Sequence, residues 1–276
     1  MKLSIITINY NHLEGLKKTF QSVKEQIWCD YEWIVIDGGS TDGSKEFIVE
    51  HQDCFFYWCS EPDGGVYNAM NKGIVRAQGE YVNFMNSGDT FFDSNSLSKV
   101  FSQQRCSDIL YGAMLLPNGK LDHSPMMKSN LQWFDFYEHT LPHQASFIRR
   151  DLFDRIGLYD ESYRIAADWY FFAKAFVWYK VSSDFIPALL ARFEGGGLSS
   201  NGDQAEVENQ RFKKEVFGTY LLAVRDRTMY FDVIHEYHLL AILHSVLYRI
   251  ARYLHNRAHG NVKIEGYQEN NAQVHC

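Results

Sequence analysis

Short apolar runs alternate with segments of helical period over the first part of the chain. Leu3–Asn9, Glu32–Asp37, Phe55–Ser60, Tyr81–Met85 and Ile109–Leu115 have the length and the β-branched and aromatic content of buried strands. Between them, Leu13–Gln26 and Val66–Ala77 set apolar side chains close to helical spacing, as Val66, Met70, Ile74 and Ala77 do. This rhythm predicts βαβ units and therefore an α/β fold with an open, mostly parallel sheet flanked by helices. In such sheets ligands collect outside the carboxyl ends of the strands. The polar residues of this sequence fall at those ends.

After residue 116 the pattern is less regular. A turn at Pro117, Asn118 and Gly119 leads to a helix candidate near Ser129–Tyr137 and a strand candidate at Ala145–Arg149. Ile165–Phe176 reads as a helix, Val181–Phe193 as mostly extended, and Glu194–Asp203 as a glycine-rich mobile loop. From Ala205 onward the spacing is helical, ending in a polar stretch, Glu265–Cys276, expected to fray. We therefore expect an α/β domain over residues 1–204, with halves meeting near residue 115, and a helical carboxyl-terminal extension over 205–276.

Composition narrows the functional classes. The 276 residues are 46% hydrophobic, enough for a sizeable core, and the formal net charge of −7 argues against broad adhesion to nucleic acid. Five cysteines, an odd number with no paired CxxC pattern, suit free thiols in a reducing, cytoplasmic setting. No charged, apolar and small-residue leader precedes Leu3, so the amino terminus is expected to be part of the fold. Charge interrupts every apolar stretch before the roughly 20 residues of a membrane span.

Two strand ends carry candidate chemistry. In IVIDGGSTDGS, residues 34–44, an apolar run delivers Asp37 and then breaks into glycine and hydroxyl residues. A carboxylate at that lip can accept hydrogen bonds from a nucleobase N–H or ribose hydroxyls, whereas Asp42 or Ser40 could simply cap the next helix. In YVNFMNSGDT, residues 81–90, a second apolar strand ends in a small-residue turn carrying Asp89. A carboxylate there can share a hard divalent cation with diphosphate oxygens, and the alternative is a solvent-exposed turn aspartate.

Together with SIITINYN at 4–11 and EPDGGVYNAMNKGI at 61–74, these strand ends closely resemble family 2 glycosyltransferases of the GT-A fold. The similarity continues in order through HQASFIRR at 143–150, AADWYFF at 166–172 and FEGGGLSS at 193–200. It is nearest to bacterial enzymes of surface-polysaccharide assembly, including the colanic-acid type. The resemblance implies a donor half over about residues 1–115 and an acceptor half over about 116–204. Thr7, Asn9 and Tyr10 would line a nucleotide pocket, Asp37 would hold the base or ribose, and Asp63, Asn71 and Lys72 would shape the floor. Asn86, Ser87, Gly88 and Asp89 fall on the family's DxD metal motif, with Ser87 in its first acidic position. Mn²⁺ or Mg²⁺ would then rest on Asp89 and the diphosphate. Asp168 matches the family's catalytic base, against the plainer reading of a helix aspartate paired with an arginine. His143 and Gln144 would touch acceptor or pyrophosphate, or serve as buried structural groups.

The resemblance thus implies inverting transfer from a nucleoside diphosphate sugar, a UDP-sugar favoured, to a saccharide or lipid-linked acceptor. The glycine run Gly195–Gly197 reads as a lid over the donor or as a surface loop; it lacks the GxGxxG spacing, and no Walker-type motif occurs. Two rivals are a sugar nucleotidyltransferase and a non-catalytic nucleotide-sugar-binding module. The first would be expected to show a glycine- and arginine-rich loop where this chain reads NYNHLEGLKK. His235, His238 and His244 do not form the zinc-binding HExxH pattern. Residues 235–257 instead carry an apolar stripe beside Arg249, Arg252 and Arg257, suited to a homodimer contact or to peripheral attachment at the cytoplasmic face of a membrane.

Overall fold

The structure is a computed structural model, and it describes residues 1–122, 126–129, 131–196 and 204–218. The apolar runs form the strands β1 (Leu3–Asn9), β2 (Tyr31–Asp37), β3 (Tyr57–Ser60), β4 (Tyr81–Phe84), β5 (Thr90–Phe91), β6 (Ile109–Leu115), β7 (Ser146–Arg149) and β8 (Ser183–Arg192). Helices α1 (Leu13–Lys24), α2 (Ser44–Glu50), α3 (Val66–Arg76), α4 (Ser96–Phe101), α5 (Asp135–Glu138), α6 (Asp151–Ile156) and α7 (Ala167–Val177) lie between them. Residues 204–218 form a further helix, α8.

The strands make one eight-stranded sheet in the order β3-β2-β1-β4-β7-β6-β8-β5. Its pairings are parallel for β1 with β2, β1 with β4, β2 with β3 and β6 with β8. They are antiparallel for β4 with β7, β6 with β7 and β5 with β8. The sheet is therefore mixed: the first four strands pair with one another only in parallel, and the later strands pair in both senses.

Both faces are covered, so the central strands are apolar on both sides instead of alternating. On one face Leu3, Ile5, Trp33 and Val35 pack with Leu16 and Val23 of α1, Ile48 of α2 and Leu97 of α4. On the other, Ile6, Ile8, Ile34 and Ile36 pack with Met70 and Ile74 of α3, Leu152 of α6 and Phe172 of α7. Phe212, Val216 and Phe217 of α8 are buried in this second cluster. No described helix is long and apolar enough to cross a membrane. Cys29, Cys54, Cys59 and Cys106 are free thiols.

Several elements differ from the sequence expectation. The helix sought at Ser129–Tyr137 is a single turn, α5, because Asp135 accepts the Gln132 N–H (2.7 Å) and ties the preceding chain into a loop. The helix sought from Ile165 starts at Ala167, since the backbone of 164–166 is bonded elsewhere in the fold. Helices α4 and α6 and the two-residue β5 are too short for periodicity to show. The stripe at 235–257 and Gly197 lie outside the described residues.

Candidate active site

The carboxyl ends of β1 and β2 lie side by side, with Asn9 paired to Asp37 in register. Asp37 is fully buried there, and its carboxylate accepts from Ser40 N (2.9 Å), Ser40 Oγ (2.5 Å), Ser60 Oγ (2.7 Å) and Asn9 Nδ2 (2.8 Å). Burial alone would raise its pKa, but these donors outweigh burial and hold the carboxyl below its ordinary value. Asp37 is thus the post on which the Gly38–Ser40 turn is built, rather than an exposed lip. The exposed surface belongs to its neighbours. Tyr10 is 67% exposed, and a Cβ added to Gly38 would come within 2.9 Å of Asp63 Oδ2 and 3.1 Å of Tyr10 Cδ2. Tyr10 and Asp63 therefore meet at one spot, where an aromatic ring and a carboxylate close over the buried backbone of Gly38.

Asp42 does cap, and it caps two helices. Its Oδ1 accepts from Ser44 N (3.1 Å) ahead of α2, and its Oδ2 from Leu13 N (2.7 Å) at the start of α1. Thr7 and Asn71 turn away from the crevice. The buried Thr7 hydroxyl accepts the Trp33 indole N–H (3.0 Å) beneath the sheet. The Asn71 amide is spent on Tyr159 N (3.0 Å), Tyr159 O (2.9 Å) and Glu161 Oε1 (2.8 Å), fastening α3 to the 159–161 turn. Lys72 pairs with Glu61 at 2.8 Å.

The turn after β4 is held from below by Thr19 of α1, whose hydroxyl accepts from Gly88 N (3.0 Å) and lies 2.7 Å from the Asp89 carbonyl. Gly88 has φ +99°, and a Cβ there would sit 1.8 Å from Glu194 Oε2, so only glycine fits. Asp89 is nearly fully buried, with Oδ2 accepting from Gln144 Nε2 (2.9 Å) and Oδ1 from Glu194 N (3.0 Å). Burial raises its pKa beyond what the nearby His143 and these two donors recover. Asn86 Oδ1 and Ser87 Oγ are buried oxygens without a partner among the described residues.

Asp168 stands in the first turn of α7, where an acidic residue is favoured by the helix dipole. Its Oδ1 accepts from Tyr67 OH (3.0 Å) and Trp169 N (2.9 Å), and its Oδ2 lies 3.1 Å from His143 Nδ1. The partners of Asp168 are thus a tyrosine and a histidine, not an arginine. His143 Nε2 faces Asn86 Nδ2 at 3.2 Å. With Asn86 donating, the ring is the neutral Nδ1–H tautomer; a protonated ring needs the Asn86 amide turned over to present Oδ1. Burial lowers the His143 pKa, but the Asp168 carboxylate and the Asp89 charge raise it further, and the net direction is upward. Burial and the Asp168 charge push the Tyr67 hydroxyl well up, so it stays protonated and available to donate.

His143 and Gln144 are consecutive in a single 3₁₀ turn, His143–Ala145. One turn thus reaches Asp168 with its first residue and Asp89 with its second. Tyr67 and Glu194 were not singled out in the sequence. Tyr67 lies inside the EPDGGVYN motif at the start of α3, and Glu194, just past β8, is gripped by Lys18 (2.6 Å) and His12 (3.3 Å).

The open mixed sheet, with its polar groups gathered beyond the strand ends, is the GT-A architecture. Residues 4–157 match glycosyl transferase family 2, and the chain belongs to that family. An uncharacterized glycosyltransferase of Mycobacterium tuberculosis is 35% identical over 211 residues, covering 74% of this chain and 79% of its own. A PGL/p-HBAD biosynthesis glycosyltransferase of Mycobacterium bovis is 29% identical over 219 residues, covering 71% and 78%. Among solved structures, S. aureus TarS 1-349 in complex with UDP-GlcNAc superposes with a TM-score of 0.59 at 20% identity. That match covers 73% of this chain and 61% of TarS 1-349. The mannosyltransferase PcManGT of Pyrobaculum calidifontis, in complex with GDP-Man and Mn2+, gives 0.55 at 16% identity, covering 70% and 56%. The chain spans about 60% of the length of the TarS structure.

Proposed function

We propose that this chain transfers a sugar, with inversion, from a nucleoside diphosphate sugar to a hydroxyl of a saccharide or lipid-linked saccharide. The observation that carries this reading is the His143–Gln144 turn, which holds Asp168 on one side and Asp89 on the other. Asp168 is the general base and takes the acceptor hydroxyl proton. The hydroxyl oxygen bonds to the anomeric carbon as the bond from that carbon to the diphosphate breaks, the electron pair leaving on the diphosphate. Tyr67 and His143 fix the direction of the Asp168 carboxylate. Tyr10 and Asp63, closed over the buried Gly38 backbone, receive the nucleoside: the ring stacks and the carboxylate accepts. Asp37 and Asn9 support this surface from beneath, with Lys72 at its edge.

The donor set beside Asp89 fits Mn²⁺ or Mg²⁺. It consists of hard oxygens, each Asp89 oxygen accepts one hydrogen bond and retains acceptor capacity, and Ser87 Oγ and Asn86 Oδ1 are unpartnered among the described residues. Asp89 would hold the cation with diphosphate oxygens, and the cation would neutralise the charge of the leaving group. The complexes of the fold relatives with UDP-GlcNAc and with GDP-Man and Mn2+ support a nucleotide-sugar donor and a divalent cation. UDP-sugars are the favoured donors. The relative named for PGL/p-HBAD biosynthesis supports a biosynthetic role for the transfer, and the free thiols support a cytoplasmic setting.

The test is a panel of UDP- and GDP-sugars scored for thermal stabilisation with and without Mn²⁺, followed by nucleoside diphosphate release from the sugar that stabilises most. We expect at least one nucleotide sugar to stabilise the chain and to be turned over. Stabilisation without release of nucleoside diphosphate under any acceptor would make the chain a binding module.

A further inference from the structure

Three consecutive backbone N–H groups, those of Arg164, Ile165 and Ala166, point at one carboxylate: Glu208 of α8. The distances are 2.9 Å to Oε1 and 2.8 and 3.0 Å to Oε2. Glu208 is 8% exposed, and Gln204 Nε2 adds a longer contact to Oε1 at 3.4 Å. The segment it grips leads directly into α7, whose N-cap, Ala166, offers no side-chain cap. Alanine is among the poorest residues at that position. Glu208 instead fixes the N-cap N–H of Ala166 and the two N–H groups ahead of it, from a helix more than 40 residues downstream, and a charged acceptor also suits the positive end of α7.

The same segment is held from its other side. The single proton of Tyr67 OH is shared between the Ile165 carbonyl at 2.5 Å and Asp168 Oδ1 at 3.0 Å. Residue 165 is thus fixed at its N–H by Glu208 and at its C=O by Tyr67, and Asp168 follows three residues on. We infer that Glu208 is a positioning residue for Asp168, setting where the first turn of α7 places the base relative to the acceptor hydroxyl. Remove the carboxylate, and three N–H groups lose their acceptor; the segment relaxes toward other partners and carries Asp168 with it. Displacements near 1 Å at a reacting group commonly cost roughly 10²-fold in rate. Tyr67 and His143 orient the carboxylate, whereas Glu208 fixes the backbone that bears it.

This inference rests on Asp168 being the base, and the experiment separates the two. On the full-length chain, Glu208→Gln keeps the shape but leaves one oxygen where three N–H groups need acceptors. Val216→Ala, a buried residue on the same helix, loosens packing without touching the 164–166 segment. We expect Glu208→Gln to speed hydrogen–deuterium exchange at amides 164–166 and to lower kcat roughly 10- to 100-fold, with the Kd for UDP and Mn²⁺ within two-fold of wild type. Val216→Ala should lower Tm at least as far while leaving kcat within two-fold. In the background of Asp168→Asn, Glu208→Gln should cost almost nothing further, because it acts through the base. Unchanged exchange at 164–166, a wild-type kcat, or an equal further loss in the double variant would overturn the inference. If Asp168→Asn itself turns over normally, it is the assignment of the base that fails.

Discussion

At the scale of single residues, the crevice separates two carboxylates by what each is bonded to. Asp168 keeps company with a tyrosine hydroxyl and an imidazole, partners that fix the direction of its carboxylate. We therefore expect Asp168→Asn, which preserves shape and removes basicity, to lower turnover by about 10²- to 10⁴-fold while leaving UDP affinity within two-fold. Parallel calorimetry and kinetics check this, and equal loss of both would move the base elsewhere. His143 gives a pH-dependent prediction. Its folded pKa is raised by the facing carboxylates Asp168 and Asp89, with no other charged group among the causes. A group raised on folding contributes stability that is full below its ordinary value, 6.5, and is lost as the pH climbs through the higher folded value. The Tm difference between wild type and His143→Gln should therefore be widest below the ordinary value of 6.5 and shrink as the pH rises above it. A difference that stays constant as the pH rises would mean the ring does not titrate with folding.

At the scale of elements, α3 does the most to join the two halves of the site. It presents Tyr67 to Asp168, spends Asn71 on the 159–161 turn, and lies against β1 through Gly73. A Cβ on Gly73 would stand 2.5 Å from Ile6 Cγ2 and 3.2 Å from Ile6 Cδ1, inside a fully buried contact. Gly73→Ala gains up to about 1 kcal/mol of helix propensity and incurs about 1–3 kcal/mol of overpacking. Overpacking should win. We expect a net destabilisation of about 1 kcal/mol by urea unfolding; a Gly73→Ala variant more stable than wild type would show that α3 can lift off the sheet freely. Elements of this kind mark the limit of what the sequence reveals. β1, β2 and β6 were legible because strands buried on both faces are unbroken apolar runs, and the ends of β2 and β4 were legible because glycine and aspartate follow closely. α4 and α6 have six residues each, and β5 has two, too few for any period. The partners of Asp168 were hidden for another reason: Tyr67 is 101 residues away and His143 25, and only the folded sheet brings them together. Helical spacing after residue 205 was readable, but whether α8 stands apart or packs into the body depends on where Phe212 and Phe217 are buried, which spacing does not encode.

At the scale of the whole molecule, one sheet links the two strand-end turns at which we propose the donor binds, so donor binding should register as global stability. A ligand present at 100 times its Kd stabilises the state that binds it by about 2.7 kcal/mol, roughly 5–10 °C in Tm for a chain of this length. Burial makes the Asp89 charge unfavourable in the free protein, as its raised pKa shows, and a cation beside it would offset that cost. The stabilisation by UDP should accordingly divide into a part that needs no metal, from Tyr10 and Asp63, and a larger part that appears only with Mn²⁺. Asp89→Ala should abolish the second part and leave the first, because the substitution removes the carboxylate of the turn without touching the nucleoside surface. Thermal unfolding of both proteins with UDP alone, with UDP and Mn²⁺, and with UDP and a chelator measures the two parts separately. If Asp89→Ala retains the full increment from Mn²⁺, the cation is not held at this turn. If wild type gains as much from UDP in chelator as in Mn²⁺, Ser87 marks a site that binds the diphosphate without a metal, and leaving-group charge must then be met by the protein's own donors.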